Sequence, residues 1–246
     1  MKTLRKVGEI LRCFSATQPE HNVSSLARRI GNSVSGTHDL VAGLSQIGLL
    51  QKVDRGRYRL GPLVASLHRA LEDSSALTEA ARPVMDSLRS EYGETLHLTQ
   101  HDHGRLLVLS ALEGQRNLRV STDIIGTQIE LHDCPPGLLH LSALIHSRLE
   151  TYLNRHSSPG GGIESRSRFR TDLANLAEAG FAVGTIRGED DVVCTAARIL
   201  DHIGQSIAVL SLAIPKSRHD QQPRAFRTIT IEAAQKISRR LGYAEV

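Results

Sequence analysis

The chain has 246 residues, enough for one large domain or two smaller ones, and its 40% hydrophobic and 23% charged residues allow a buried core and exclude wholesale disorder. Its longest apolar run, Ser206 to Ile214, falls short of the ~20 residues that a membrane span needs, and Gly8, Glu9 and Arg12 interrupt the basic opening before a signal-peptide core can form. Three cysteines, Cys13, Cys134 and Cys194, are too few and too far apart for a disulfide framework or a CxxC metal site, so the expectation is a cytoplasmic protein with no membrane association.

The net charge of +4 is unevenly spread. Residues 1–61 carry ten Lys or Arg against four acids, whereas the remainder carries 20 basic and 22 acidic residues. A basic head on a near-neutral body suggests a polyanion-binding module joined to a unit with another task. Within that head, Leu4, Val7, Leu11 and Phe14 form the stripe of a first helix, ended by the polar run around Pro19. Ser24 is the predicted N-cap of a short second helix holding Leu26, Ala27 and Ile30 and closed by Gly31. Thr37, Leu40, Val41, Leu44 and Ile47 mark a third helix that stops at Gly48. Two short strands around Asp54, Arg55 and Gly56, with Tyr58 and Leu60 alternating against Arg57 and Arg59, make a basic hairpin. Three helices and a basic hairpin are the order of a winged helix-turn-helix, whose third helix enters the major groove while the wing touches backbone. The alternative for such a module is a protein-interaction role.

Beyond the wing, Leu60, Leu63, Leu67 and Leu71 extend a stripe that predicts a linking helix over 62–75. Its natural partner is the same helix of a second subunit. Leu77, Ala81, Val84 and Leu88 repeat the spacing, with Pro83 expected to start or kink that helix and Gly93 to end it. From residue 76 onward, TLHLTQHD and GRLLVLSALEG read as strands joined at Asp102, His103 and Gly104, with NLRVST and TQIELHD continuing the β pattern. Pro135 and Pro136 open a helix expected to contain Leu138, Leu139, Leu141, Leu144 and Ile145. Gly160, Gly161 and Gly162 form a plain linker, and a helix over 166–179 stops at Gly180. FAVGTIRG, VVCTAARIL and QSIAVLSLAIP supply three further strands, and Phe226, Ile229, Ala233, Ile237 and Leu241 make a closing helix. An antiparallel sheet flanked by helices gives an α+β domain.

The segments VSSLARRIGNSVSGTHDLVAGLSQIGLLQK and GRYRLGPLVASL resemble the N-terminal domain of the IclR family of bacterial transcription regulators. GETLHL, IELHDCPPGLLHLSAL, AGFAV, VVCTAARILD and IAVLSLAIP resemble the effector-binding domain of the same family, which is related in fold to GAF domains. The resemblance implies a winged helix-turn-helix at 1–61, a linker helix at 62–75 and an effector-binding domain at 76–246. It implies contacts to double-stranded operator DNA from Ser35, Thr37, His38 and Arg57; Gly36 at the start of the third helix and Arg55 on the basic hairpin join them from the residues themselves, and Ser24 and Arg28 of the second helix complete the candidate set. It implies an effector pocket lined by Leu131, His132, Cys134, Pro135, Pro136, Cys194 and Ser211. Family members usually carry arginine where Asp39 stands. Here an acid repels phosphate unless it accepts from a cytosine amino group or pairs with a neighbour. Pro135 and Pro136 replace small residues and have no amide hydrogen, Leu138 replaces a common lysine, and Ala213 stands where serine is frequent. These departures imply a bulkier or more apolar effector than a small oxo-acid.

Metal and thiol chemistry are the alternatives to this reading. His101 with His103, and His132 with Cys134, share a face if extended, yet nothing identifies a third ligand. Cys134 and Cys194 are a candidate redox pair, although buried free cysteine more often serves as a small hydrophobe. No GxSxG elbow or HExxH helix occurs. The expectation is a regulator without cofactor, metal or catalytic activity, a repressor in preference to an activator of a catabolic or metabolic operon. It would act as a homodimer or homotetramer and respond to a small organic or aromatic carboxylic acid. The alternative is a thiol- or metal-dependent enzyme with a basic accessory domain.

Overall fold

The structure, a computed structural model, describes residues 2–15, 18–74, 76–102, 104–120, 130–156 and 163–244. The side chains of Arg55, Arg69, residues 71–74, Ile163 and Glu164 lie outside the description. The chain divides into two compact units, Met1–Ser75 and Ala76–Val246.

The first unit runs α1 (Lys2–Leu11), β1 (His21–Asn22), α2 (Val23–Arg29), α3 (Val34–Gln46), β2 (Leu50–Lys52), β3 (Arg57–Leu60) and α4 (Pro62–Ser74). Ile10, Phe14, Leu26, Val41, Leu44, Leu50 and Tyr58 form its core. On α1 the inward stripe is Val7, Ile10 and Leu11; Leu4, expected on it, is exposed, and Phe14 packs from beyond the helix end. Asn22, not Ser24, caps α2, its side chain accepting from the Ser25 amide at 2.8 Å, which leaves Ser24 exposed in the first turn. Ser33 caps α3 through the Gly36 amide at 3.2 Å. Ile47 follows α3 as its C-cap and is exposed instead of continuing the inward stripe. The hairpin of β2 and β3 turns through Asp54–Gly56, and β1 adds a third antiparallel strand, in the order β1-β3-β2. Leu60 lies on β3, so the helical stripe starts after Pro62. Leu71 falls outside the described side chains.

The second unit opens with α5 (Ala76–Tyr92), β4 (Thr95–Asp102), β5 (Arg105–Leu112), α6 (Pro135–Ser142) and α7 (His146–Arg155). It closes with α8 (Ile163–Ala179), β6 (Phe181–Ile186), β7 (Glu189–Leu200), β8 (Ser206–Pro215), α9 (Lys216–His219) and α10 (Pro223–Arg240). The five strands form one antiparallel sheet in the order β5-β4-β8-β7-β6. Period-2 alternation gives the sheet two distinct faces. Leu96 and Leu98, Ala197 and Ile199, and Leu210, Leu212 and Ile214 point toward α5 and α10. Ala182, Ala196 and Val209 point the other way, onto Leu139 of α6. The architecture is the expected α+β arrangement of an antiparallel sheet with helices on both faces.

Three local expectations fail. The described part of NLRVST, residues 117–120, is not a strand, and residues 121–129 lie outside the described residues. Of the next segment only Glu130 makes a β-bridge, to Arg105, after which Leu131–Asp133 turns as a 3-10 helix. The turn lets Leu131 drop into the core beside Tyr152, Leu153 and Leu173. Finally, α6 stops at Ser142, and Leu144 and Ile145 precede a separate α7, Ile145 being exposed. Pro83 does not start α5, which begins at Ala76 and carries the proline in its interior. The Gly160–Gly162 linker and His103 lie outside the described residues.

Gly137 fixes how closely α6 sits on that turn, because a Cβ there would collide with the Leu131 carbonyl. A buried ion pair lies where β4 begins. Glu94, 1% exposed, takes both nitrogens of the Arg218 fork at 2.6 and 2.7 Å, with Arg116 3.6 Å away. Arg218 also donates to the Leu118 carbonyl at 2.8 Å, tying residues 116–118 to α9. Removing one partner of such a pair strands the other charge, so Glu94→Ala should cost about 3 kcal/mol in urea unfolding of this unit. A loss below about 1 kcal/mol would show that solvent already carries the pair.

Candidate functional site

In the first unit the core-facing side of α3 is Thr37, Val41 and Leu44, which leaves the opposite side open. Ser35 and His38 are exposed there, and Gly36 is half-buried against the Ser33 cap. Thr37, expected to contact DNA, is fully buried: its hydroxyl donates to the Ser33 carbonyl at 2.8 Å and accepts from Asn32 at 3.2 Å. It braces the helix start and is not available to a duplex. Asp39 is exposed, its carboxylate 3.8 Å from His38 Nδ1, beyond hydrogen-bond distance and an ion pair only when that ring is protonated. Ser24 and Arg28 are exposed on α2. Arg57 pairs with Glu20 at 3.1 Å, half-exposed at the wing, and Arg59 donates to Gln51. The Arg55 side chain lies outside the described residues. Val34, which the sequence reading passed over, is the first residue of α3 and is 55% exposed.

In the second unit the expected effector set divides in two. Cys194 and Ser211 lie on the α6-side face of the sheet, where register pairs Ser211 with His97 of β4 and with Ala196, and Cys194 with Gly184 and Ala213. The start of α6 covers them: a Cβ on Gly184 would lie 3.6 Å from Pro135 Cγ, and Pro136 is buried in the same turn. Burial pushes the Cys134 thiol up to about 11, and burial with Cys134 nearby pushes Cys194 up to about 12, the Ser211 hydroxyl opposing weakly. Both are therefore neutral thiols and poor nucleophiles. Leu131 and His132 turn away. Leu131 joins the helical core, and His132 Nδ1 hydrogen-bonds the Tyr152 hydroxyl at 2.8 Å, with His156 stacked on Tyr152. His132 and Cys134 accordingly share no strand face. His101 accepts from the Gly104 amide, and among the described residues no group of three or more His, Cys, Asp or Glu is placed to hold a metal.

The face also holds two histidines that the sequence reading missed. His140 of α6 lies 3.2 Å from Thr99 Oγ1, and His97 is 4% exposed. The available signal was position: His97 sits between Leu96 and Leu98, which face the opposite side, so it must enter the second interior. Where the sheet ends beyond Cys194 and Ala213, a cavity of about 670 Å³ opens. Leu118, Val120, Ile186, Val192 and Pro215 line it, with Arg119 and Lys216 set against Glu189 and Asp191. Val192 and Pro215 lie two residues along from Cys194 and Ala213, so the cavity floor continues the same face.

Comparisons with known proteins bear on both units. Residues 3–54 match the IclR helix-turn-helix domain, and residues 69–239 match the family described as bacterial transcriptional regulator IclR C-terminal. The HTH-type transcriptional regulator XynR of Escherichia coli is 26% identical over 99% of this chain and 98% of its own. The transcriptional repressor IclR of the same organism is 25% identical over 98% and 90%. An IclR homologue from Microbacterium hydrocarbonoxydans, crystallised with 4-hydroxybenzoate, superposes with a TM-score of 0.79 at 24% identity, covering 97% of this chain and 98% of that one. A regulator from Silicibacter reaches 0.84 at 24% identity over 98% and 97%.

The buried histidines set an acid limit. Burial lowers His97 to about 4 and His140 to about 3, the latter helped by nearby His101. Both stay neutral in the fold while an unfolded chain would protonate them near 6.5. Unfolding therefore takes up protons below that value, and stability should fall as pH drops from about 6.5 toward 4. Denaturant midpoints measured across that window check this; His97→Gln and His140→Gln should each flatten the slope, and an unchanged slope in both would contradict it.

Proposed function

The chain belongs to the IclR family of bacterial transcription regulators, and on that premise we propose that its first unit grips operator DNA while a small organic acid, held in the second, adjusts that grip. The observation that carries the DNA half is the free side of α3 in a module with ten basic and four acidic residues. Ser35 and His38 are the base-edge candidates, and an exposed valine at the helix start suits the methyl group of thymine. Arg28, Arg57 and the helix amides of the first turn supply phosphate contacts that orient the unit. In the free protein Glu20 holds Arg57, and a half-exposed pair of this kind is weak enough for phosphate to displace it. Arg55 stays in the proposed set on sequence grounds.

For the effector, the α6-side face formed by Cys134, Pro135, Pro136, Cys194 and Ser211, together with the adjoining cavity, is the proposed seat. Its apolar lining and limited set of polar groups suit an aromatic or similarly bulky acid, and the 4-hydroxybenzoate complex of the Microbacterium homologue supports that class. Leu60 and Leu67 are 40% and 54% exposed and suit a homodimer or homotetramer contact. Among the described residues no helix is long and apolar enough to cross a membrane, and a cytoplasmic regulator, repressing in preference to activating, fits this reading. The rival thiol enzyme is disfavoured because both candidate thiols are held protonated.

A gel shift on the DNA flanking the chain's own gene tests the proposal. Binding at low salt should change when aromatic acids such as 4-hydroxybenzoate are added. Arg57→Ala should weaken binding to any duplex and lower the salt slope by about one. Failure to bind any such fragment, with or without acids, would overturn the reading.

A further inference from the structure

Resting on the effector seat just described, we propose that His97 is the inner polar contact of the effector and that it takes an uncharged hydroxyl or carbonyl group, not a carboxylate. The first observation is an unmet demand. His97 is almost wholly buried, and its Nε2 finds no hydrogen-bond partner among the described residues. Buried polar atoms are nearly always paired, so an orphan in a native interior calls for a ligand group or a water. The second observation is place. Through its register with Ser211 the ring stands on the same face as Cys194 and Ala213, whose continuation is the floor of the large cavity. Alanine and glycine at 182, 184, 196 and 213 keep that face low.

The chemistry of the surroundings selects the group. A buried carboxylate needs a cation or several amides, and this stretch of the face offers neither. Proline at 135 and 136 removes two of the amides that normally greet an anion at a helix start, and the Leu138 amide is spent on the Cys134 carbonyl at 3.0 Å. Arg198, a half-buried cation farther along β7 beyond Ala196, donates from Nη2 to the Ala177 carbonyl of α8, leaving its buried Nε without a partner among the described residues. The imidazole itself is neutral, burial having lowered it to about 4. A neutral ring can donate to a carbonyl or accept from a hydroxyl without any charge entering the interior. The carboxylate of the same molecule belongs at the open cavity, where Lys216 lines the wall.

Two probes with the same carboxylate and differing by one hydroxyl, 4-hydroxybenzoate and benzoate, isolate the contact when titrated calorimetrically into the full chain. Wild type should bind the hydroxylated acid about tenfold more tightly. In His97→Leu that ratio should fall toward one, while the ligand-free melting temperature holds or rises because the orphaned nitrogen is gone. His97→Gln, whose amide still bonds, should keep part of the preference and serves as the reading if the leucine variant does not fold. A tenfold ratio that survives His97→Leu, or a wild type that does not distinguish the acids, overturns this assignment alone. Binding of neither acid by wild type overturns the aromatic-acid effector reading and this assignment with it.

Discussion

The second unit depends on one constraint: a strand in a sheet covered on both faces must send alternate residues into two different interiors. In β4 that constraint sends Leu96 and Leu98 to α5 and α10, and His97 and Thr99 toward α6. The first interior is large, aliphatic and closed. The second carries hydroxyls, thiols and imidazoles among its apolar residues, and the same sheet face continues to Val192 and Pro215, which line the cavity. Burial of apolar area on the α5 and α10 side supplies the stability that lets the other side carry an unpaired nitrogen and two protonated thiols. The larger apolar core and the proposed effector seat are thereby on opposite faces of the same five strands. Glu94 with Arg218 fixes the segment at 116–118 that borders the cavity, and Gly137 fixes the approach of α6 above it.

The first unit solves a different problem, that of presenting charge without spending it on itself. Two of its four acids are engaged by arginines, Glu20 with Arg57 and Glu9 with Arg5, in exposed or half-exposed positions. Such pairs are worth little in water and can be exchanged for phosphate at small cost. Thr37 shows how the reading side of α3 is set. The Ser33 cap and the inward threonine hydroxyl lock the phase of the helix, which turns Val34, Ser35 and His38 outward.

Much of this was legible in the sequence because periodicity reports burial directly. The three helices, the wing, the strands of 95–102 and 105–112 and the closing helix follow their apolar stripes. What was not legible depended on partners distant in sequence. The two-residue β1 exists only because His21 and Asn22 meet Tyr58 and Arg57. Residues 131–133 have the alternation of a strand, yet Leu131 gains more by entering the cluster around Tyr152 than by extending the sheet. The cap of α2 shifted from Ser24 to Asn22, a change that spacing alone does not resolve. For the candidate sites, the family resemblance pointed to Cys134, Cys194 and Ser211, but the inward turn of Thr37, the turn of His132 toward Tyr152 and the burial of His97 required knowing which way each side chain points.

In the proposed regulator, a ligand on the α6-side face of the sheet governs the hold of the first unit on DNA. Ala213 stands on that face, fully buried and paired with Cys194 and Thr95, so Ala213→Val adds volume there while leaving every residue of Met1–Ser75 unchanged. The deciding measurement is the fraction of operator bound as an effective acid is titrated into this variant. Operator affinity equal to wild type without acid, and a lost or strongly right-shifted response with it, is the predicted result. A response as strong and at the same concentration as wild type would contradict the account.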